Sequence, residues 1–291
     1  MIQDLLIEAA FALAPVLPRR AAHSLARATS SVEFAFPSKR RRAVESNLRW
    51  IERSGIPGVD RPRFRDRTAR RIFESYHRFI LEYLAQRSLD ARELDARYRF
   101  QGMEILYAAL ARGRGAVVSA PHVGNWELAG LAIARLGFRV HVVTGVQFHA
   151  RLSGLARLLK ERGRIRVSTP RDGFGPLLRT LRRSGVVVLL TDGDVYVRSI
   201  EAEFFGRRVP FPVGPALLAR RSRAPLLHAH AERSAGGGHV VAFDGVEWPR
   251  PELPLKQDLL RLTRRVAEVQ ERTVAAHLEE WCIFRPLFTS P

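Results

Sequence analysis

The chain has 291 residues, 46% hydrophobic and 26% charged, which excludes a disordered or fibrous protein and allows a sizeable core in one large or two small units. One cysteine, Cys282, excludes an internal disulfide framework and a Cys-based structural zinc site. Lys+Arg 48 against Asp+Glu 29 gives a net charge of +19, with only Lys39, Lys160 and Lys256 as lysine, so the surface is rich in guanidinium and suited to phosphates, anionic lipids or acidic proteins.

From the N-terminus, Ile2, Leu5, Leu6, Ala9, Phe11, Leu13, Val16 and Leu17 form a short apolar helical pattern ahead of Pro18 and Arg19-Arg20. Asp4 and Glu8 stand where a secretory signal would be basic. Residues 1–18 therefore suit a helix lying in a membrane interface, or equally a terminal helix packed on its own domain. No run of 18 apolar residues is present to cross a bilayer. Helical pattern continues through residues 20–53, with Lys39-Arg40-Arg41-Arg42 opening the segment Arg41 to Ile51. Ile56-Pro57-Gly58 and Pro62 interrupt it. Residues 64–87 then predict a long amphipathic helix carrying Ile72, Phe73, Tyr76, Phe79, Ile80, Tyr83 and Leu84.

Beyond about residue 96 strands and helices alternate. Strands are predicted at Val117–Ala120, Val140–Thr144, Ile165–Ser168, Val186–Leu190, Leu226–Ala231 and His239–Phe243. Helices are predicted from Trp126 to about Leu136 and over 151–161, 177–183, 213–222 and 256–279. Gly236-Gly237-Gly238 suits a hairpin turn, and Trp281 to Phe284 reads as buried strand. Short, fully apolar strands separated by helices predict an α/β sheet covered on both faces. The expected organisation is an interface helix (1–18), a helical region (19–95) and an α/β domain (96–291) that forms one compact unit with the preceding helices.

The strand ending at Ala120 runs into Pro121-His122-Val123-Gly124-Asn125-Trp126-Glu127. Asn125 is suited to cap the helix starting at Trp126. His122 thus falls at the carboxyl end of a strand, where open α/β sheets keep their ligand sites. A turn there can fold His122 back toward Glu127, and a carboxylate beside an imidazole fixes its tautomer for general-base work. The same spacing also fits a structural pair or a cap. Cys282, inside its apolar run, is expected to be buried rather than nucleophilic. His77, His141, His149, His228, His230 and His239 show no ligand spacing beyond His228-x-His230, and are expected to be structural or surface residues.

His122-x4-Glu127, as HVGNWE after an apolar strand, resembles the motif of the late lipid A acyltransferases. The likeness extends to Arg41-Arg42-Ala43-Val44-Glu45-Ser46-Asn47-Leu48, to Thr191-Asp192-Gly193-Asp194, and to Phe204-Phe205-Gly206 through Val209-Pro210-Phe211. Gly214-Pro215-Ala216-Leu217-Leu218-Ala219-Arg220 and Ala224-Pro225 continue it. In all it covers roughly residues 35–290. The resemblance implies a glycerolipid-acyltransferase-like mixed sheet flanked by helices, with a helical N-terminal region. It also implies fatty acyl transfer from an acyl carrier protein or coenzyme A thioester to a glycolipid hydroxyl, at the cytoplasmic face of the inner membrane.

On that resemblance His122 is the base, Glu127 its orienting partner, and Asp192 and Asn125 support the site. An acceptor phosphate would be met by Arg162 or Arg164, with Arg157 competing. Asp194 is expected only to cap a loop or pair with arginines. No cofactor and no metal are expected. The expected partners are the acyl donor, a phosphorylated glycolipid and an anionic membrane surface, with no nucleic acid. Two departures bear on the acceptor: the N-terminal element is short and carries two acids, and the closing aromatic-basic segment is reduced to Trp281 to Phe288. Lipid A precursors and mannosylated phosphatidylinositol both remain open. Two other readings exist. A nucleic-acid binder would explain the charge, yet no basic-aromatic stripe or helix-turn-helix is present. An inactive, lipid-binding relative would leave the His122/Glu127 pair without purpose.

Overall fold

The short aliphatic runs assemble into one sheet because each must be covered on both faces. The computed structural model describes residues 14–55, 63–85, 91–144, 165–192, 198–234 and 236–288. Its main sheet has seven strands, ordered β1 (Tyr98–Gln101), β9 (His239–Glu247), β8 (Leu226–Arg233), β2 (Ala116–Ala120), β5 (Val186–Leu190), β3 (Val140–Val143) and β4 (Arg166–Ser168). From β8 to β4 the strands are parallel; β9 runs antiparallel to β8, and β1 runs parallel to β9. The fold is therefore mixed α/β, as the strand-helix alternation implies.

β2 lies between β5 and β8 and is buried along its whole length. Alternation of its side chains divides the core in two. Val117 joins Val187, Leu189, Leu226 and the helical N-terminal residues Phe34, Leu48, Ile72 and Phe73 on one face. Val118 joins Val186, Leu227, Leu106, Leu128 and Ile133 on the other. The helices supplying these residues are α1 (Arg19–Ala35), α2 (Lys39–Arg53), α3 (Phe64–Ala85), α5 (Met103–Leu110) and α6 (Trp126–Arg135), with the short α4 (Ala91–Ala96) between α3 and β1. Further along lie α7 (Gly175–Arg182), α8 (Gly214–Ser222) and α9 (Leu255–Ala276).

Three stretches of chain differ from the expectation. β1 and α5 form from a stretch, 98–110, whose periodicity is too brief to register. Residues Ser199–Phe204 (β6) and Arg207–Pro212 (β7) make a two-stranded hairpin. Acidic residues and two prolines mask its strand pattern, and its turn places Phe205 and Gly206 at φ 53° and 70°, the backbone of a tight two-residue hairpin loop. Trp281 to Phe284 is not a strand. Trp281 makes one isolated antiparallel bridge with Val123, because the chain leaves α9 through a 3-10 turn at Leu278–Glu280 and only touches the sheet's rim.

Among the described residues no helix is long and apolar enough to cross a membrane. Most of the expected interface helix (residues 1–13) and the helix expected over 151–161 lie outside the described residues.

Candidate active site

The site is built where β2 and β5 end side by side. Their last residues, Ala120 and Leu190, are partners in register, so the loops that follow emerge together. Just beneath, Ser119 Oγ and Thr191 Oγ1 lie 2.7 Å apart, and Gln270 of α9 donates to both hydroxyls. These buried polar contacts tie α9 to the two strand ends from which His122 and Asp192 project.

His122 and Asp192 meet through two bonds. His122 Nδ1 lies 2.6 Å from Asp192 Oδ1, and the His122 backbone N–H donates to Oδ2 at 2.7 Å. Trp281 Nε1 donates to the same Oδ2 at 2.8 Å. Asp192 is only 2% exposed. Burial alone would raise its carboxyl pKa, but the His122 imidazole and the His122 and Trp281 donors hold it below the ordinary carboxylate range. An ionised carboxylate can only accept, so the proton of the imidazole sits on Nδ1. That leaves Nε2 with its lone pair, on a side chain 25% exposed. The Trp126 ring meets the imidazole edge-on, with centroids 5.0 Å apart.

The loop carrying His122 is clamped from behind. Gly124 has φ +64°, and a Cβ there would collide with the backbone of Ala231 and Glu232 in β8, so the close approach requires glycine. Gly124 N–H donates to Glu280 O at 3.1 Å, and Cys282 N–H donates to His122 O at 2.9 Å. The segment after α9 therefore holds both sides of the loop. That segment is itself anchored to α2: Asn47 Nδ2 donates to Arg285 O and Asn47 Oδ1 accepts from Leu287 N–H.

Asn125 is fully buried and works twice. Its Oδ1 accepts from Leu128 N–H as the cap of α6, and its Nδ2 donates to Glu82 Oε2 at 2.9 Å. Glu82 belongs to α3 and also pairs with Arg233 of β8. Arg233 reaches Ser75 and Glu280 as well. Burial would raise Glu82, yet Arg233 and His239, with hydrogen bonds from Arg233 and Asn125, bring it down to about 2. A buried ionic network thus joins α3, β8, the α6 cap and the post-α9 segment around one loop.

The expected residues are placed as follows. His122, Asp192 and Asn125 converge. Glu127 sits in the first turn of α6, half-buried, and its charge contributes to raising the Tyr83 phenol, an effect dominated by burial. The carboxylate on His122 Nδ1 is Asp192, and the ring that meets the imidazole from the first turn of α6 is that of Trp126. Arg157, Arg162, Arg164, Asp194 and His149 lie outside the described residues. Cys282 is buried, and burial pushes its thiol up to about 12, which suits an inert side chain. His141 is bonded to Thr180 and Ser168, and His77 to Thr29 and Glu33, in structural settings. Among the described residues, no group of three metal-ligating side chains includes His122 or Asp192.

Sequence reasoning missed Trp281, Glu82 and Arg233. Nothing in spacing links residue 281 to residue 192. The available signal was chemical: a buried indole N–H needs an acceptor, and a buried arginine needs carboxylates.

The sequence matches the profile of the bacterial lipid A biosynthesis acyltransferases over residues 2–290. It is 27% identical over 279 residues to a phosphatidylinositol mannoside acyltransferase of Mycobacterium tuberculosis (strain H37Rv), covering 84% of this chain and 81% of that protein. It is 25% identical over 249 residues to a phosphatidylinositol mannoside acyltransferase of Mycolicibacterium smegmatis, covering 80% of this chain and 75% of that protein.

Proposed function

The chain belongs to the bacterial lipid A biosynthesis acyltransferase family, and from that premise we propose that it transfers a fatty acyl group from a thioester to a hydroxyl of a membrane glycolipid, with His122 as general base. The observation that carries the mechanism is the His122–Asp192 pair. A hydroxyl is a poor nucleophile near neutral pH, so its proton must leave as it attacks the thioester carbonyl. His122 Nε2 takes that proton. Asp192, held at 2.6 Å on Nδ1, fixes the tautomer and stabilises the imidazolium that forms. The protonated imidazole then returns its proton to the departing thiolate. Glu127 adds negative charge beside the site without bonding the ring.

The donor is an acyl carrier protein or coenzyme A thioester. A carrier protein is acidic, so a +19 chain attracts it over roughly a Debye length of 8–10 Å. Trp126, Phe79 and Tyr83 stack in succession, with centroids 4.3 and 6.1 Å apart, and supply an apolar wall leading from the imidazole for the acyl chain. The relatives' names favour a mannosylated phosphatidylinositol as acceptor over the lipid A precursor. Its phosphate is assigned to Arg162 or Arg164. Attachment is interfacial, through residues 1–18, on the cytoplasmic face of the inner membrane.

The test is mass spectrometry of products after incubating the purified chain with acyl-coenzyme A or acyl carrier protein and each acceptor in turn. Acylated phosphatidylinositol mannoside, abolished in His122→Ala, is expected. Acylation of the lipid A precursor alone would overturn the acceptor assignment. No acyl transfer to any glycolipid, with salt-sensitive DNA retention instead, would overturn the function.

A further inference from the structure

Behind the catalytic loop, on the side of β8 that faces α9, three side chains converge that the acyl-transfer chemistry does not use. His230 and Glu232 are two residues apart on β8, so both project from one face of the strand. His277 follows the last residue of α9. One ligand atom from each of the three lies within 4.8 Å of the other two. The imidazoles are tilted by 35° with centroids 5.0 Å apart. Glu232 Oε2 is 3.0 Å from His277 Nδ1, and Asp244 Oδ2 of β9 is 2.7 Å from His230 Nδ1.

We propose that His230, Glu232 and His277 bind one divalent transition-metal ion of the zinc class. Two imidazoles and one carboxylate are the nitrogen-oxygen donor set that such ions take, whereas calcium and magnesium require oxygen alone. Drawing ligand atoms from within 4.8 Å to the ~3.4 Å spacing of a tetrahedral site with ~2.1 Å bonds needs only small side-chain rotations. His230 commits Nδ1 to Asp244, leaving Nε2 to ligate. A carboxylate on the outer nitrogen fixes the tautomer and raises the basicity of a ligating histidine. The ion would sit between His277 and Glu232, whose facing atoms are 3.0 Å apart, and water completes its shell.

Local charge supports the assignment. In a chain of +19, the charged groups acting on His277 among the described residues are Glu232, His230 and Asp244, with no arginine among them. His230, Glu232 and His277 are half-buried, with side-chain exposures of 10, 26 and 23%, so an ion can enter and yet lose most of its water. The sequence hides this site. His230 and Glu232 share one face of a strand, but the third ligand comes from the far end of α9. An ion here joins β8, whose Glu232 backbone packs on Gly124, to the segment whose Glu280 and Cys282 hold the catalytic loop.

The experiment uses the purified full chain stripped with EDTA and titrated with ZnCl2, read by calorimetry and by thermal denaturation, with CoCl2 as a visible-absorption probe. One equivalent should bind to the wild type. Its dissociation constant should be at least about 100-fold weaker in the His230→Gln/His277→Gln double variant. Asp244→Asn, which touches only the outer nitrogen of His230, should weaken binding by ~10–100-fold. Zinc should raise the wild-type melting temperature and not that of the double variant. The cobalt complex should show the intense d–d bands of a four-coordinate site, lost on the same substitutions. Equal zinc affinity in wild type and double variant would overturn the proposal, as would a wild-type dissociation constant no tighter than about 1 mM. If the double variant fails to fold, Asp244→Asn and Glu232→Gln decide the matter: unchanged affinity in both refutes the site.

Discussion

Asp192→Asn is the sharpest perturbation of the proposed mechanism, because the structure dictates how the amide must sit. Three donors meet the two carboxylate oxygens: His122 Nδ1 at Oδ1, and the His122 backbone N–H with Trp281 Nε1 at Oδ2. An asparagine has one acceptor oxygen, which must go where two donors converge. Its NH2 then faces His122 Nδ1, which can bond to it only by giving up its proton. The imidazole proton moves to Nε2, the atom that should accept from the substrate hydroxyl. Every hydrogen bond survives, so the fold is retained while the base is in the wrong tautomer. In the Ser-His-Asp template the equivalent change lowers kcat about 10⁴-fold, so a loss of about 10³–10⁴-fold in kcat is expected here, or ~4–5.5 kcal/mol of transition-state stabilisation. KM should change little. The assay is steady-state acyl transfer, with Glu127→Gln measured in parallel and thermal denaturation as the folding control. A folded Asp192→Asn enzyme within tenfold of wild type, beside a Glu127→Gln enzyme that is dead, would refute the assignment of Nδ1 chemistry to Asp192.

Other consequences follow from the same geometry. Arg233→Ala strips a buried network of its cation, leaving Glu82 and Glu280 together. It should cost about 3–5 kcal/mol in urea denaturation, and a loss under 1 kcal/mol would contradict the network's role. Burial pushes His228 and His239 down to about 4 from the ordinary 6.5, so both stay neutral in the fold and take protons first when unfolded. Their contribution is present above pH 6.5 and is lost as pH falls toward 4, up to about 3 kcal/mol each; a melting temperature flat between pH 7 and 4.5 would exclude it. Cys282, pushed up to about 12, should resist thiol reagents until the protein unfolds, and Cys282→Ala should keep near-wild-type turnover. Rapid labelling of the native protein would show that the thiol is not sealed in.

What was legible in the sequence was what depends on neighbours along the chain. Val186–Leu190 declares a central strand because five consecutive aliphatic residues, three of them β-branched valines, suit a sheet covered on both faces. Asn125 declares a helix cap because its side chain serves amides three residues ahead. His122 declares a rim position because it follows such a strand. The hairpin at 199–212 stayed hidden because its own alternation is broken by Pro210 and Pro212 and its turn by a phenylalanine at positive φ. Trp281 was visible as a buried residue but not as a ligand of Asp192.

By itself, then, the sequence determined six of the main sheet's seven strands and the family motif around His122, all properties of short contiguous segments. Only the tertiary structure decided which acid holds the imidazole. Pairing Ala120 with Leu190 at the ends of adjacent parallel strands brings Asp192 to Nδ1. The same holds for the Glu82–Arg233 clamp and the His230–Glu232–His277 cluster, whose members are separated by many tens of residues, except where one strand face brings two together. Such contacts cost loop-closure entropy and form only when the whole sheet is assembled, so no local pattern announces them.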